Sequence, residues 1–429
     1  MKTNLLIFCS LVLTTSAKAE PLDRLIGEVL QKNHAVAAAR LNWEAMQEKP
    51  AIAGSLPDPM ATYGYFFQNV ETRVGAQNQR VGLSQKIPFP GKLSAQKRRA
   101  SKEALMAMWQ YQAAVRDAIL RTKLLYCDLY RVDRSARILR EQGGLIENIT
   151  RSSQQTFEAG KAELQDVLKS KVARDELRSR QLTLEQQRAG IVARINALRA
   201  QPANAAFAVV QDIPQGPLPS QERLFAVAEQ YRQELQQAGV AIERDELGLA
   251  LARKERLPDF TFGVDYTQVN DNIFSRPPDN GHDAVVGFVS VNVPIWFGKL
   301  NAQERMARKQ LDASRATAAN VAFQTQAEVR DAWAQAETYL DQVALYRRSI
   351  IPQTQDTYKA SESSYAAAKV GLIDLLDSER SILAARLGLV LNEAELGKAL
   401  ATLERAVGVD LADINQTSTR RTRAAQNEK

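Results

Sequence analysis

Two stretches of this chain, about 207 residues apart, repeat the same landmarks in the same order. Ile87-Pro88-Phe89-Pro90-Gly91-Lys92-Leu93 returns as Pro294-Ile295-Trp296-Phe297-Gly298-Lys299-Leu300. Farther along, Phe157-Glu158-Ala159-Gly160-Lys161 with Leu164 to Leu168 is echoed by Tyr365-Ala366-Ala367-Ala368-Lys369 with Leu372 to Leu376. Upstream, Leu56-Pro57-Asp58-Pro59 answers Leu257-Pro258-Asp259-Phe260. A duplicated unit this large is a structural half and not a solenoid repeat. The chain must therefore fold as two related halves.

Residues 1–19 read as a secretory signal, with Lys2 as the charged start and Leu5 to Leu13 as a short apolar core. Ala17-Lys18-Ala19 supplies the cleavage site. Cys9 leaves with the signal, so Cys127, in a helical setting, is the one remaining cysteine. It reads as a small buried apolar residue. An exported chain without a disulfide is held together by packing. Removing Lys2 and Lys18 takes the formal charge from +7 to +5, which is 54 basic against 49 acidic residues. That mild excess lacks the clustered basic and aromatic residues of a nucleic-acid surface. No later apolar run is long enough for a transmembrane helix, so entry into a membrane would be by strands.

Four segments alternate with period two. Met60 to Gln68 puts Ala61, Tyr63, Tyr65 and Phe67 on one face, and Arg80 to Ile87 puts Val81, Leu83 and Ile87 there. Phe260 to Gln268 contributes Phe260, Phe262, Val264 and Tyr266, and Val285 to Val293 contributes Val285, Val289, Val291 and Val293. Strands of about nine residues with this pattern suit a membrane β-barrel. Polar segments, Asn69 to Gln79 and Asn270 to Asp283, read as the hairpin tips. Four strands cannot close a barrel, because the smallest use about eight, and an open edge in lipid strands backbone groups at several kcal/mol each. Strand count alone thus calls for oligomerisation.

The first half, residues 20–219, is expected to hold a helix from Glu20 to about Ser55, a hairpin over 60–87, a long helix over 91–156, a turn over 160–164, a helix over 163–199 and a linker over 201–219. The second, residues 220–411, repeats this with a helix over 221–255, a hairpin over 260–293, a long helix over 298–364 that pauses at Pro352, a turn over 368–372 and a helix over 372–407. Residues 412–429 read as a disordered polar tail. About 66 helical residues make a rod of roughly 100 Å. Met108, Tyr111, Val115, Ala118, Thr122, Leu125, Leu129, Val132, Ala136 and Leu139 alternate spacings of three and four, which is a coiled-coil seam. Ile119, Tyr126 and Tyr130 add a flanking line, as if helices pack on two sides.

With these residues on the page, the chain resembles the TolC family of outer-membrane factors, over nearly all of its mature length. The likeness is most specific from Tyr365 through Asp377. Pro57-Asp58-Pro59-Met60 and Ile87 to Lys92 look most like the heavy-metal efflux branch related to CzcC and CusC. The resemblance implies a mainly α fold with a four-stranded antiparallel contribution per chain. It also implies a homotrimer whose twelve-stranded barrel sits in outer-membrane lipid of a Gram-negative-type cell, continued by a long α-helical periplasmic tunnel. Its partners would be a periplasmic adaptor (membrane fusion) protein and an inner-membrane RND-type pump, with heavy-metal cations as cargo; a drug or type I secretion duct of the same family is the alternative. The turns carrying Gly160, Lys161 and Leu164, and Lys369, Val370, Gly371 and Leu372, correspond to the adaptor-docking tips, with Leu164, Val370 and Leu372 as exposed apolar contacts. The other possibility is that they only pack the turn.

Asp374 and Asp377 share one helical face. The resemblance places them at the tunnel's narrowest ring, with Asp166 and Tyr365 in the network that holds it shut; a solvated face or a helix N-terminal charge would also explain them. The basic partner expected near Asp374 is replaced by Val370. Phe89, Pro90, Gly91, Trp296, Phe297 and Gly298 read as membrane-interface anchors and strand-to-helix turns, the glycines easing the redirection, with ordinary core packing as the other explanation. His34 and His282 stand apart from any cysteine or spaced carboxylates, so no catalytic set, metal site or cofactor is expected. A periplasmic coiled-coil adaptor is the rival from a different class; it would have no lipid-facing strands.

Overall fold

The computed structural model describes residues 22–160, 163–210, 212–213, 216–367 and 369–414. The signal segment, Lys161, Ala368 and residues 415–429 lie outside them. The elements run α1 (Leu22–Lys32), α2 (His34–Gly54), β1 (Met60–Thr72), β2 (Gly75–Ile87), α3 (Lys92–Glu158), α4 (Leu164–Leu198), α5 (Gln221–Tyr231), α6 (Gln233–Lys254), β3 (Phe260–Val269), β4 (Ala284–Val291), α7 (Phe297–Leu345), a π-helical turn (Tyr346–Ile350), α8 (Ile351–Ala366) and α9 (Leu372–Val407). The fold is mainly helical with one small antiparallel sheet. Among the described residues no helix is long and apolar enough to cross a membrane.

Several sequence-based boundaries need correction. The helix expected from Glu20 to Ser55 is two, broken at Asn33, and the one expected over 221–255 is broken at Arg232. At the first break the Asn33 side-chain oxygen accepts from the backbone N–H groups of Ala35 (2.9 Å) and Val36 (3.2 Å), while its amide donates to the carbonyl of Leu198 at 3.0 Å. This is an N-cap that starts α2 afresh. Arg232 is extended (φ −64°, ψ 119°) and pairs with Glu328 at 2.9 Å. The pause expected at Pro352 is absent: the chain stays helical and widens into the π turn just before it. Proline removes one backbone donor, and a single π turn inside an α-helix is the usual form in which π geometry occurs. The first hairpin tip is also shorter than expected, since β1 runs to Thr72 and β2 starts at Gly75. Polar residues continue the backbone pairing there, around an irregularity between Tyr65 and Val70. The polar tail begins later as well, because residues 411–414 are helical and Ile414 is buried.

Two compact units emerge, and neither is one copy of the duplication. The first comprises the described residues up to Ala37 with Ala114–Arg232 and Thr325 onward; the second comprises Ala38–Ala113 and Gln233–Gln324. Each draws on both halves of the sequence. The first unit holds the large apolar clusters. One joins Leu139, Ile146, Leu177, Leu372, Leu376 and Leu383; another joins Leu224, Val329, Leu403 and Val407. Trp333 packs against the second and donates to the Pro219 carbonyl at 3.0 Å. The segment expected as a linker is pinned: Val210 N–H donates to Asp133 at 2.9 Å, and Arg188 bonds both Asp133 (2.7 Å) and the Phe207 carbonyl (3.1 Å). Cys127 is buried, and burial pushes its thiol up to about 12.

The second unit holds the sheet, an antiparallel meander in the order β1-β2-β3-β4. Strands β1 and β4 are its two edges.

Candidate functional site

The register of the sheet gives it one mainly apolar and one mainly polar face. Tyr63, Val81, Tyr266 and Val285 form one cross-strand row, and Ala61, Leu83, Val264 and Gly287 form the next. Phe262 with Val289 and Phe260 with Val291 extend this face; Gln85 interrupts it, and Gln79 and Gln268, in register with Tyr65, end it. The alternate face carries Thr62, Ser84, Lys86, Arg80, Thr261, Asp265, Thr267 and Ser290, with Met60, Val286 and Phe288 among them. In a soluble protein the apolar face would be covered. Here Tyr63 is 65% exposed, Phe262 46% and Val289 61%. An exposed apolar face this wide marks a membrane or partner surface.

The two strand-to-helix junctions are built differently. In the first, Gly91 has φ +89° and turns the chain into α3. Asp259 fastens this turn: it accepts from the Phe89 N–H at 3.0 Å and from Lys92 Nζ at 2.8 Å, and Lys86 lies 3.1 Å away. Burial acts to raise the Asp259 carboxyl, but these donors prevail and hold it below the usual carboxylate range. In the second junction Gly298 makes no such turn. It lies inside α7, and the reversal falls on the preceding residues, where Ile295 N–H bonds the Val293 carbonyl and Phe297 N–H bonds that of Ile295, both at 2.9 Å. Trp296 and Phe297 are fully on the surface, whereas Phe89 is half-buried and Pro90 exposed.

At the tip turns the residues that open α4 and α9, Glu163 and Gly371, are both extended N-caps. Gly160 adopts φ +69°, a left-handed helix end of the kind glycine serves. Gly371 has φ −78° and ψ 166°. Leu372, expected to be exposed, is 1% exposed and packs in the Leu139–Ile146 cluster. As the first residue of α9 it faces back under the turn. Val370 is half-buried and Lys369 exposed. Leu164 is 54% exposed. It continues into a row that sequence reasoning missed: Leu168 and Val172 on α4, with Ile373 on α9, are also exposed. The spacing 164, 168, 172 was the available signal.

Asp374 sits in the first turn of α9 and accepts from the Gly371 N–H at 3.2 Å. The helix-N-terminal explanation therefore accounts for part of its placement. Asp377, one turn on, is exposed beside it. Asp166 occupies the matching first-turn position of α4. Tyr365 packs half-buried against the apolar cluster. Among the described residues of one chain, no hydrogen bond joins Asp166 or Tyr365 to either aspartate.

Buried polar groups in the same unit went unforeseen. Glu379 accepts from Gln142, and burial raises its carboxyl above the usual range. Glu393 accepts from Tyr130 Oη at 2.6 Å and from Arg347 in the π turn at 2.5 Å. Among the described residues no group of three or more His, Cys, Asp or Glu could hold a metal ion.

The profile of the family described as outer membrane efflux protein matches residues 25–201 and 224–409, both halves of the duplication. The chain belongs to that family. Membership places it among TolC-like channels of the outer membrane that serve efflux and transport. Solved structures agree in fold. The outer membrane protein VceC from Vibrio cholerae superposes with a TM-score of 0.75 at 16% identity, over 91% of this chain and 96% of that one. The CmeC outer membrane channel of Campylobacter jejuni gives 0.75 at 15%, over 93% and 88%. CusC gives 0.73 at 16%, over 90% and 92%, so it is not set apart from the others. No curated protein matches by sequence.

Proposed function

We propose that this protein is a passive exit duct that works as a homotrimer. Three four-stranded sheets close a twelve-stranded barrel, and the long helices continue it as a periplasmic tunnel. The observation that carries this is the sheet, with an exposed apolar face and edge strands β1 and β4 that each have one neighbour within the chain. Lipid tolerates no open edge, so β1 and β4 must be completed by sister copies. Trp296, Phe297 and Phe89 then lie at the inner membrane surface, where aromatic rings anchor.

The duct supplies no energy. An inner-membrane pump of the RND type delivers cargo through a periplasmic adaptor, which docks on the tips around Gly160, Leu164, Lys369, Val370 and Gly371, and on the apolar row Leu168, Val172 and Ile373. Lys161 belongs to the same turn by sequence. Asp374 and Asp377 from three copies put six carboxylates around one opening. Such a ring favours cations, which fits a heavy-metal cargo. Asp166 and Tyr365 brace that ring. With Val370 in place of a basic partner, closure here uses other contacts than a salt bridge to Asp374.

Planar bilayers test the ring. Replacing both Asp374 and Asp377 by Asn is expected to lower cation preference and raise conductance; unchanged currents would remove the assignment. A deletion strain grown on metal salts and on organic drugs tests the cargo: sensitivity to drugs alone would reassign it. Gly371→Arg is expected to insert normally yet fail to co-purify with the adaptor.

A further inference from the structure

The regular ladder of the sheet, residues 60–65, 79–87, 260–268 and 284–291, contains three charged side chains, Arg80, Lys86 and Asp265. All three lie on the polar face, and each is closed in an ion pair. Lys86 reaches Asp259 at 3.1 Å, just before β3. Arg80 bonds Asp265 across β2 and β3. Asp265 is 7% exposed, whereas the Arg80 side chain is 52% exposed.

The pair closes over a glycine. Gly82 faces Asp265 directly in register, and a Cβ on residue 82 would fall 2.1 Å from Asp265 Oδ1. Any other side chain would push the carboxylate off β2 and away from Arg80. A glycine inside a strand weakens the strand, and a half-exposed ion pair adds little stability. Stability is therefore a poor reason for the arrangement. What it does achieve is to bury a negative charge and cancel a positive one on the face that, in the duct, lines the water.

We infer that Gly82, Arg80 and Asp265 form a charge-cancelling latch that leaves its own level of the strand region neutral and unselective between ions of opposite sign. Charge discrimination is thereby left to other parts of the tunnel. This rests on the duct proposed above, in which the polar face is the lumen. Breaking the latch on one side exposes three like charges around one opening, and the sign depends on which partner is removed.

The test uses full-length protein carrying Asp374→Asn and Asp377→Asn, so that the distant carboxylates contribute nothing, in planar bilayers under a KCl gradient. The reversal potential of this parent is the reference. Adding Arg80→Gln unmasks Asp265 and is expected to raise the potassium-to-chloride permeability ratio about fivefold; adding Asp265→Asn unmasks Arg80 and shifts the ratio about as far toward chloride. The combined Arg80→Gln, Asp265→Asn variant returns to the parental value. Shifts of one sign, or none in channels of normal conductance, overturn the latch. A parent that never forms channels contradicts the duct itself and removes the latch with it. The opposed signs separate charge unmasking from a folding defect, which would move both single variants alike.

Discussion

The first unit seals most of its large apolar side chains in a core, apart from exposed ones such as Leu164, Leu168, Val172 and Ile373, and the second displays them on its sheet. Leu139, Ile146 and Leu403 are sealed in helical clusters and Leu129 is fully buried, while Tyr63, Leu83, Val285 and Val289 stand on the surface of the sheet. The carboxyls differ as well, apart from Glu28 of the first unit, which burial acts to raise but Lys32 and Arg199 hold low. In the first unit Glu379 and Glu404 are raised by burial. In the second, Asp245 and Asp259 lie low despite burial, held by Arg244 and Ser314 and by Lys92 and the Phe89 N–H respectively. The helical unit carries its own core. The strand unit is held by charged hydrogen bonds at its base and leaves its apolar surface for something outside the chain.

Thermal unfolding of detergent-solubilised protein can break this contrast. The largest effect is expected from Leu129→Ala in the helical core, a loss of about 2–5 kcal/mol through lost burial and a cavity. Next comes Asp259→Asn in the strand unit, a loss of about 1–3 kcal/mol at neutral pH, since buried Lys92 keeps only Glu255 at 3.7 Å and the Leu257 carbonyl as partners. Because the folded carboxyl lies below its unfolded value, its contribution is present above the unfolded value and fades as pH falls through the folded one. The gap between wild type and Asn should therefore close below about pH 4. Glu379→Gln should act in the opposite sense. Its raised carboxyl favours the folded state at low pH and loses that advantage as pH rises, so the variant is expected to gain about 1–2 °C over wild type at pH 8 and little at pH 5. Smallest of all, Val289→Thr on the exposed face should change stability by less than about 0.5 kcal/mol. A Val289 effect rivalling Leu129 would mean that the sheet face is a packed core.

The sequence made some of this plain. Period-two alternation showed the apolar face of the sheet because lipid and core demand the same pattern, and the absence of proline showed the long helix α3. The duplication was legible in its landmarks. It misled in detail because the two copies solve equal problems differently: Gly91 uses left-handed geometry, while Gly298 at the matching position does not. Single-residue breaks at Asn33 and Arg232 leave the helical period intact on either side, so periodicity cannot reveal them. Leu372 looked exposed because it sits in a turn; its burial depends on partners such as Ile146, more than two hundred residues away in sequence. The Arg80–Asp265 pair was equally hidden, since β2 and β3 belong to different halves.

The account depends most on sister copies completing the strand edges. Static light scattering of the mature protein in detergent, corrected for bound detergent, measures this directly. A particle of three chains is what the account predicts; a stable particle of one chain would contradict it.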